Sequence, residues 1–342
     1  MTIIVDAMGS DKYPDPELQG AIDAAREFGE EIILVGKQEL IEPKLKALNP
    51  GSLPIRIHDA PDVLEMGDKV VESAMKKPKN SMAIGMELIK SGQGSAFVTA
   101  GSTGAAMFVA LRTLKLLPGV QRPALTAIFP TRTGRCVVCD IGANADCRPE
   151  FFPQFAVMGS VYAEKVLKIN NPRVGLLANG EEAGKGNALV KSSYPLLAAS
   201  GINFVGNTEP KELFGGHADV VICDGFTGNI MLKSSEAVAR LITDTLKEEL
   251  MASFIRKIGA LLIRSSFTRV KKLIDPSEVG AAPLLGINGL VFVGHGRSNA
   301  RAITSAIAVA RQAVQVDLLN EMKQALQDKL TQRPAPTTPT AH

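Results

Sequence analysis

Short apolar runs alternate along the chain with amphipathic stretches. The runs at 2–6, 31–36, 55–58, 95–99, 125–129, 136–140, 173–178, 203–205, 220–224 and 290–294 read as buried strands, being short and bounded by Gly, Pro, Asn or Asp. Pro14 and Pro16 open a helical pattern that ends near Phe28, and amphipathic stretches at 81–90, 151–167 and 188–198 fill later gaps. Strand, helix, strand in repetition predicts an α/β fold with a mostly parallel sheet and helices on both faces. From 233 to 274 the pattern becomes long helix, with an interruption near Ser253 or Ser265; an Ala-rich helix from 298 to 317 closes the fold. The expected organisation is one domain over 1–330 with a helical appendage at about 233–276, followed by a Pro- and Thr-rich tail at 331–342 that should be disordered.

Three of the runs end on an aspartate and dissolve into glycine and small polar residues. They close on Asp6 before Gly9, on Asp140 before Asn144, and on Asp224 before Asn229. In an open α/β sheet the ligand crevice lies beyond the carboxyl ends of the strands, so the repeat marks an expected rim of site residues. Turn formation alone also favours Asp and Gly at such places.

Composition removes several classes of function. Of 342 residues, 45% are hydrophobic and 21% charged, as in an ordinary soluble enzyme, and a net charge of +3 is too small to imply a nucleic-acid partner. Only 5% are aromatic and Trp is absent, which removes a stacking platform for single strands. Cys136 and Cys139 form a CxxC, but residues three apart on a strand point to opposite faces, so no metal site is expected. No apolar run approaches the length of a membrane-spanning helix, and no secretory signal precedes the first strand.

The candidate chemistry is that of anions. Gly101, Ser102, Thr103 and Gly104 follow a strand and open a helix, so their backbone N–H groups outline a phosphate cradle. Lys76, Lys77 and Lys79 precede a helix capped by Asn80 or Ser81 and read equally as a solvated turn. The segment from Gly180 to Gly186 looks like a P-loop but is one residue short before Gly184 and Lys185, and Gly186 replaces the magnesium-binding hydroxyl. No GxGxxG dinucleotide fingerprint follows Gly9 or Gly101. Asp11 and Asp15 lack a common helical face because of Pro14 and Pro16. Of His58, His217, His295 and His342, only His295, between a strand and a helix, suits a site, and no serine lies in a GxSxG elbow. Such a set can serve a reaction whose nucleophile is itself an anion.

In the helical appendage, Phe254, Ile255, Ile258, Leu261, Leu262, Ile263 and Phe267 interleave with Arg256, Lys257, Arg264, Arg269, Lys271 and Lys272. A basic, strongly apolar helix suits a membrane surface. It suits equally a hairpin packed on the sheet or on a second subunit.

These motifs together resemble those of the acyl-acyl carrier protein:phosphate acyltransferases (PlsX) of bacterial phospholipid synthesis. The resemblance runs from Val5 to about Ala310 and rests on Asp6 to Asp11, Ala100 to Ala105, Arg122 to Leu125, Asp140 to Asn144, Gly180 to Glu182 with Lys185 and Gly186, Asp224 to Asn229, and His295 with Gly296. Ser10, Ser102 and Ala178 depart from it, standing where Gly, Asn and Asn are usual. It implies a Rossmann-like three-layer α/β/α sandwich and transfer of a fatty acyl group from acyl carrier protein to inorganic phosphate, with no cofactor or metal. It also implies a cytoplasmic homodimer working at the inner face of the cell membrane, near the membrane glycerol-3-phosphate acyltransferase. Under it, Lys185 would meet phosphate or oxyanion charge and Ser102 and Thr103 would cradle the phosphate. Asn144 and Asn229 would contact the oxyanion or thioester, Asp140 and Asp224 would orient them, and His295 would relay a proton. Phe254, Arg256, Lys257, Leu261, Leu262 and Arg264 would meet lipid or carrier protein. A phosphotransacetylase using coenzyme A thioesters and a non-catalytic membrane scaffold are the alternatives.

Overall fold

A computed structural model describes residues 1–274 and 276–330; the predicted tail at 331–342 and the side chains at 271, 272, 274, 276 and 330 lie outside the described residues. The chain runs β1 (Thr2–Asp6), α1 (Asp15–Phe28), β2 (Glu31–Gly36), α2 (Gln38–Ala47), β3 (Ile55–Asp59), α3 (Val70–Lys76), α4 (Ser81–Lys90), β4 (Ala96–Thr99) and α5 (Thr103–Thr113). It continues through β5 (Ala124–Pro130), β6 (Arg135–Cys139), α6 (Phe151–Lys165), β7 (Val174–Leu177), α7 (Ala188–Ala198), β8 (Phe204–Thr208), α8 (Pro210–Gly215) and β9 (Val220–Ile222). The remainder is α9 (Gly225–Met251), α10 (Phe254–Leu262), α11 (Arg264–Ile274), β10 (Ala281–Leu285), β11 (Val291–Gly294), α12 (Ala300–Gln315) and α13 (Leu318–Leu330).

Among the described residues eleven strands form one sheet in the order β3-β2-β1-β4-β11-β10-β5-β6-β9-β7-β8. Helices α1, α6, α12 and α13 bury one face, with Leu18, Ile22, Phe155, Ile303, Ile307 and Leu326 at most 2% exposed. Helices α4 and α5 bury the other, with Met86, Phe97 and Ala106 inaccessible. Each such large apolar side chain contributes roughly 1.5–3 kcal/mol of transfer free energy, which makes these two layers the main source of stability. Cys136 belongs to the second core and Cys139 to the first, so the two thiols of the CxxC do lie on opposite faces.

The first helix shows how local signals set the layers. Proline at its start and Asp15 and Glu17 in its first turn suit the positive end of the helix dipole, and Gly29 ends it at φ 68°, a left-handed cap. Its inner side meets α12 so closely that a β-carbon on Gly20 would lie 2.6 Å from Ile303 Cβ and 2.7 Å from the Ala300 carbonyl.

Two expectations need correction. No strand is predicted at 281–285, yet β10 lies in the middle of the sheet; Pro283 hides it, because proline lacks the N–H a central strand uses. The ladder to β5 accordingly forms only at Leu284 and Leu285, beyond the proline. That strand adds two antiparallel pairings, which cancel, beside the β5–β6 hairpin, which does not. The pairs β11–β10, β10–β5 and β5–β6 are antiparallel and the others parallel, so three reversals separate β4 from β6. The strands β1, β4 and β11 therefore point one way while β6, β9 and β7 point the other, and the three aspartate-ending strands do not share one rim.

The long helix also starts earlier than expected, at Gly225, and breaks where Ser253 caps α10 and again at Ile263. No single helix among the described residues is long and apolar enough to cross a membrane.

Substituting Gly20 by Ala should destabilise the protein by about 1–3 kcal/mol through overpacking at the α1–α12 contact, measured as a lowered midpoint in urea with the slope unchanged.

Candidate functional site

Asp140 follows β6 and is fully buried. Its Oδ1 accepts from the N–H groups of Leu125, Gly142 and Ala143, each at 3.0 Å; Oδ2 accepts from Asn144 N at 2.7 Å and Asn144 Nδ2 at 2.9 Å. Burial pushes this carboxyl up from the ordinary aspartate value, while the five donors favour its charged form. Asn144 donates its amide also to the Pro123 carbonyl at 2.7 Å and is 8% exposed. That corrects its expected role as an oxyanion donor: both amide hydrogens are already used, and the residue belongs to the scaffold of the turn.

The next strand, β9, brings Asp224 beside this turn. Asp224 caps α9, accepting from Thr227 N and Thr227 Oγ1 at 2.8 Å each. The first turn of α9 presses onto the Asp140 turn, with Gly225 N donating to the Asn144 carbonyl at 2.8 Å. Only glycine permits that approach, since a β-carbon on Gly228 would sit 2.0 Å from the Asp140 carbonyl. Asn229 stands over Gly142, with its Nδ2 3.7 Å from where a β-carbon there would be, and is half-buried, with no side-chain hydrogen bond among the described residues. One strand further out, the loop after β7 carries Lys185. Its N–H donates to the Glu182 carbonyl at 2.9 Å, a carbonyl that Asn207 Nδ2 also reaches at 2.8 Å. The Lys185 side chain is exposed and has no ion pair among the described residues.

On the oppositely directed strands, Asp6 is buried and its Oδ2 accepts from Thr99 Oγ1 at 2.7 Å. Thr99 Oγ1 in turn accepts from Gly101 N at 3.0 Å, so the Gly101 N–H expected to face a phosphate is already taken. Ser102 caps α5, with Oγ 3.5 Å from Ala105 N, and the intrahelical bonds begin with Ala106 N to the Ser102 carbonyl. The N–H groups of Thr103 and Gly104 lie within the first turn, where helices leave donors for an anion. His295 follows β11. Its Nε2 lies 3.5 Å from Glu236 Oε1, and Arg297 Nη2 lies 3.5 Å from Glu236 Oε2.

Between β4 and β6 lie four strand spacings, or about 19 Å, so strand ends alone do not gather the expected residues into one site. Helix α9 does. Asn229 and Glu236 are seven residues apart on it, nearly two turns and about 10 Å, so the Asn229 end and the His295 end meet along one helical stripe. Both α5 and α9 pack on the same face of the sheet. Ala127 and Ala282 on that face are half-buried, whereas Val138 and Val293 beside them are buried. These groups are thus spread across one face of the sheet rather than along one rim, with the half-buried Ala127 and Ala282 on that face. Lys233, exposed on the same stripe between Asn229 and Glu236, and Glu236 itself escape sequence reasoning. The signal was present in the spacing 229, 233, 236, which only matters once a helix is known to begin at Gly225. A cavity of about 350 Å³ lies elsewhere, lined among others by Lys90, Ser95, Lys115 and Asn288, and contains none of the expected site residues.

The thiols offer no nucleophile. Burial pushes Cys147 up to about 12 and raises Cys136, Cys139 and Cys223 further from the thiolate form. In the appendage, Phe254, Ile255, Leu261 and Leu262 are 68–81% exposed, and α9 adds Leu241 and Ile242 at 60% or more. Arg256 pairs with Glu249 of α9, while Lys257 and Arg264 have no ion pair among the described residues.

Comparison with known proteins decides the family. The model of the fatty acid synthesis protein family matches residues 1–321. The chain belongs to this family. It is 46% identical to the phosphate acyltransferase of Acidobacterium capsulatum, over 91% of this chain and 92% of that one. It is 43% identical to the phosphate acyltransferase of Geotalea daltonii, over 96% and 95% respectively. Among solved structures, the EutD phosphotransacetylase from Staphylococcus aureus is similar with a TM-score of 0.58 and 15% identity, over 92% of this chain and 94% of that one, which establishes a shared fold. For this member of the family, Asp140→Asn should cost about 3 kcal/mol or more, because a side-chain NH2 would face backbone N–H donors; chemical denaturation measures it.

Proposed function

We propose that the chain transfers a fatty acyl group from the thioester of acyl carrier protein to inorganic phosphate, giving acyl phosphate for phospholipid synthesis. What carries this reading is full-length kinship at 46% identity with a phosphate acyltransferase, and this face of the sheet suits the chemistry. A phosphate dianion needs no protein nucleophile, consistent with four thiols held in their protonated form. Its oxygen attacks the thioester carbonyl carbon, an oxyanion forms, and the carbon–sulfur bond breaks to release a thiolate. A thiol of pKa about 8.5 leaves with little acid assistance.

The protein's part is charge neutralisation, orientation and donors to the oxyanion. In this reading the N–H groups at the start of α5, with Ser102 and Thr103, hold the phosphate. Lys185 and Lys233 meet its charge. Asn229 donates to the oxyanion, Asp224 and Asp140 hold that end of the site in place, and His295 relays the phosphate proton, oriented by Glu236 at 3.5 Å. The half-buried Ala127 and Ala282 leave a shallow apolar floor for the acyl thioester. No cofactor or metal enters the scheme.

The exposed apolar faces of α9 to α11 fit a homodimer and a cytoplasmic protein resting on the inner face of the cell membrane, where the membrane glycerol-3-phosphate acyltransferase would consume the product. The basic side chains Lys257 and Arg264 suit either anionic lipid or an acidic carrier protein.

Incubation with acyl carrier protein thioester and phosphate, followed by trapping with hydroxylamine, should give a phosphate-dependent hydroxamate; its absence would remove the acyltransferase reading. In the same assay Lys185→Ala should lower turnover at least tenfold with an unchanged circular dichroism spectrum, and near-normal turnover would exclude Lys185 from the site. Because Arg256 is engaged by Glu249, charge reversal is best made at Lys257 and Arg264. Lost binding to anionic liposomes with intact transfer assigns these side chains to lipid, and a raised KM for the thioester assigns them to the carrier protein.

A further inference from the structure

The first turn of α1 places a carboxylate where nothing in the reaction uses one. Glu17 is inaccessible to solvent, and its Oε1 accepts from Ser10 N at 2.9 Å. Its Oε2 and the Ser10 hydroxyl are both buried without a hydrogen-bond partner, although that hydroxyl lies close enough to act on the carboxyl. Two orphaned polar atoms side by side are satisfied together when one donates to the other.

The turn that Glu17 grips is a junction. Gly9 lies so close to the Ala100 and Gly101 backbone that a β-carbon would fall 2.9 and 2.8 Å from their nitrogens, so the Ser10 turn backs the start of α5. Asp11 N donates to the Gly296 carbonyl at 2.7 Å, so the same turn backs the residue after His295. We propose that Glu17 is a positioning residue: through Ser10 it fixes the turn against which both the Ser102 and the His295 segments are set, and so holds the anion-binding end of the site in working order. This rests on the assignment of that end to phosphate in the preceding subsection.

Burial pushes the Glu17 carboxyl up to about 7, with a smaller contribution from nearby Asp6, so at neutrality its proton is poised to leave. Asp6 is the charged neighbour on β1. Other ionisable groups on the packed elements are engaged elsewhere: Lys44 of α2 with Asp15, Glu31 and Arg56 of β2 and β3 with each other, and Arg301 and Arg311 of α12 with Glu278 and Glu30. His58 and Asp59 of β3 are exposed, and on the turn itself Asp11 stands beside Gly296. Below pH 7 a neutral Glu17 donates Oε2–H to Ser10 Oγ and accepts Ser10 N–H. Above it, a second buried negative charge accumulates beside Asp6 and loosens the turn. The sign for stability follows: the folded protein holds this proton more tightly than the unfolded chain does. The contribution is therefore complete below the ordinary glutamate value near 4.5 and is lost as pH rises toward about 7.

Glu17→Gln keeps both hydrogen bonds and cannot ionise. Two readouts test the idea between pH 6 and 8: the rise in Tm on adding inorganic phosphate, and hydroxamate formation. Each is taken as the ratio of Glu17→Gln to wild type, which cancels the titration of phosphate itself. Both ratios should climb at least threefold from pH 6 to pH 8, while Glu17→Ala should lose at least tenfold in kcat/KM for phosphate at every pH. Ratios flat with pH, or a Glu17→Ala variant with wild-type phosphate response, would overturn the proposal. If Glu17→Ala does not fold, the Gln ratio decides alone. A phosphate-induced Tm pattern as expected with no hydroxamate from wild type would retire the acyltransferase reading and leave the role of Glu17 standing.

Discussion

A carboxylate taken out of water has to be given donors, and in this protein the donors are the backbone of the turns themselves. Asp140 collects five N–H bonds, four from the main chain, and in doing so winds residues 140–144 into a fixed shape. Asp6 likewise accepts from Met8 N and Thr99 Oγ1. An unpaired buried charge costs several kcal/mol, so each of these turns has little freedom to take another form. Rigid turns are what a site needs when it works by presenting preset donors rather than by supplying a reactive atom.

The second constraint is the direction of the sheet. Three antiparallel pairings in its centre reverse one half against the other, so the carboxyl ends of β4 and β6 face opposite edges. The strand ends therefore do not form the single crevice that a wholly parallel sheet would offer. Glycines at 225 and 228 let α9 descend onto the Asp140 turn, and from there its length carries the site to His295.

Most of the α/β alternation is legible in the sequence, because β-branched runs between amphipathic stretches carry a period that burial enforces on each strand and helix separately. Strand direction is not, since it depends on which strands pair. The net reversal comes from the β5–β6 hairpin, because the two antiparallel pairings of β10, the strand that Pro283 conceals, cancel each other. The strand-ending aspartates were readable as turn formers, and Asp140 and Asp224 each accept from the N–H groups of the turn that follows. The amides beside them were not separable: Asn144 and Asn229 follow an aspartate by four and five residues, yet the former is consumed by Asp140 and Pro123 while the latter projects from a helix. Lys233 and Glu236 were invisible for a related reason, as a helical stripe has no meaning until the helix start is placed.

Helix α9 runs 27 residues, about 40 Å, without a break. One end bears Asn229 against the Asp140 turn, the middle holds His295 and Arg297 through Glu236, and the far end carries the apolar hairpin of α10 and α11. A continuous helix transmits tilt along its axis, so the surface that seats the hairpin and the groups of the site belong to one lever. The hairpin, Glu236 and Asn229 therefore share one axis, and a displacement of the hairpin end is opposed by the close packing of Gly225 and Gly228 on the Asp140 turn.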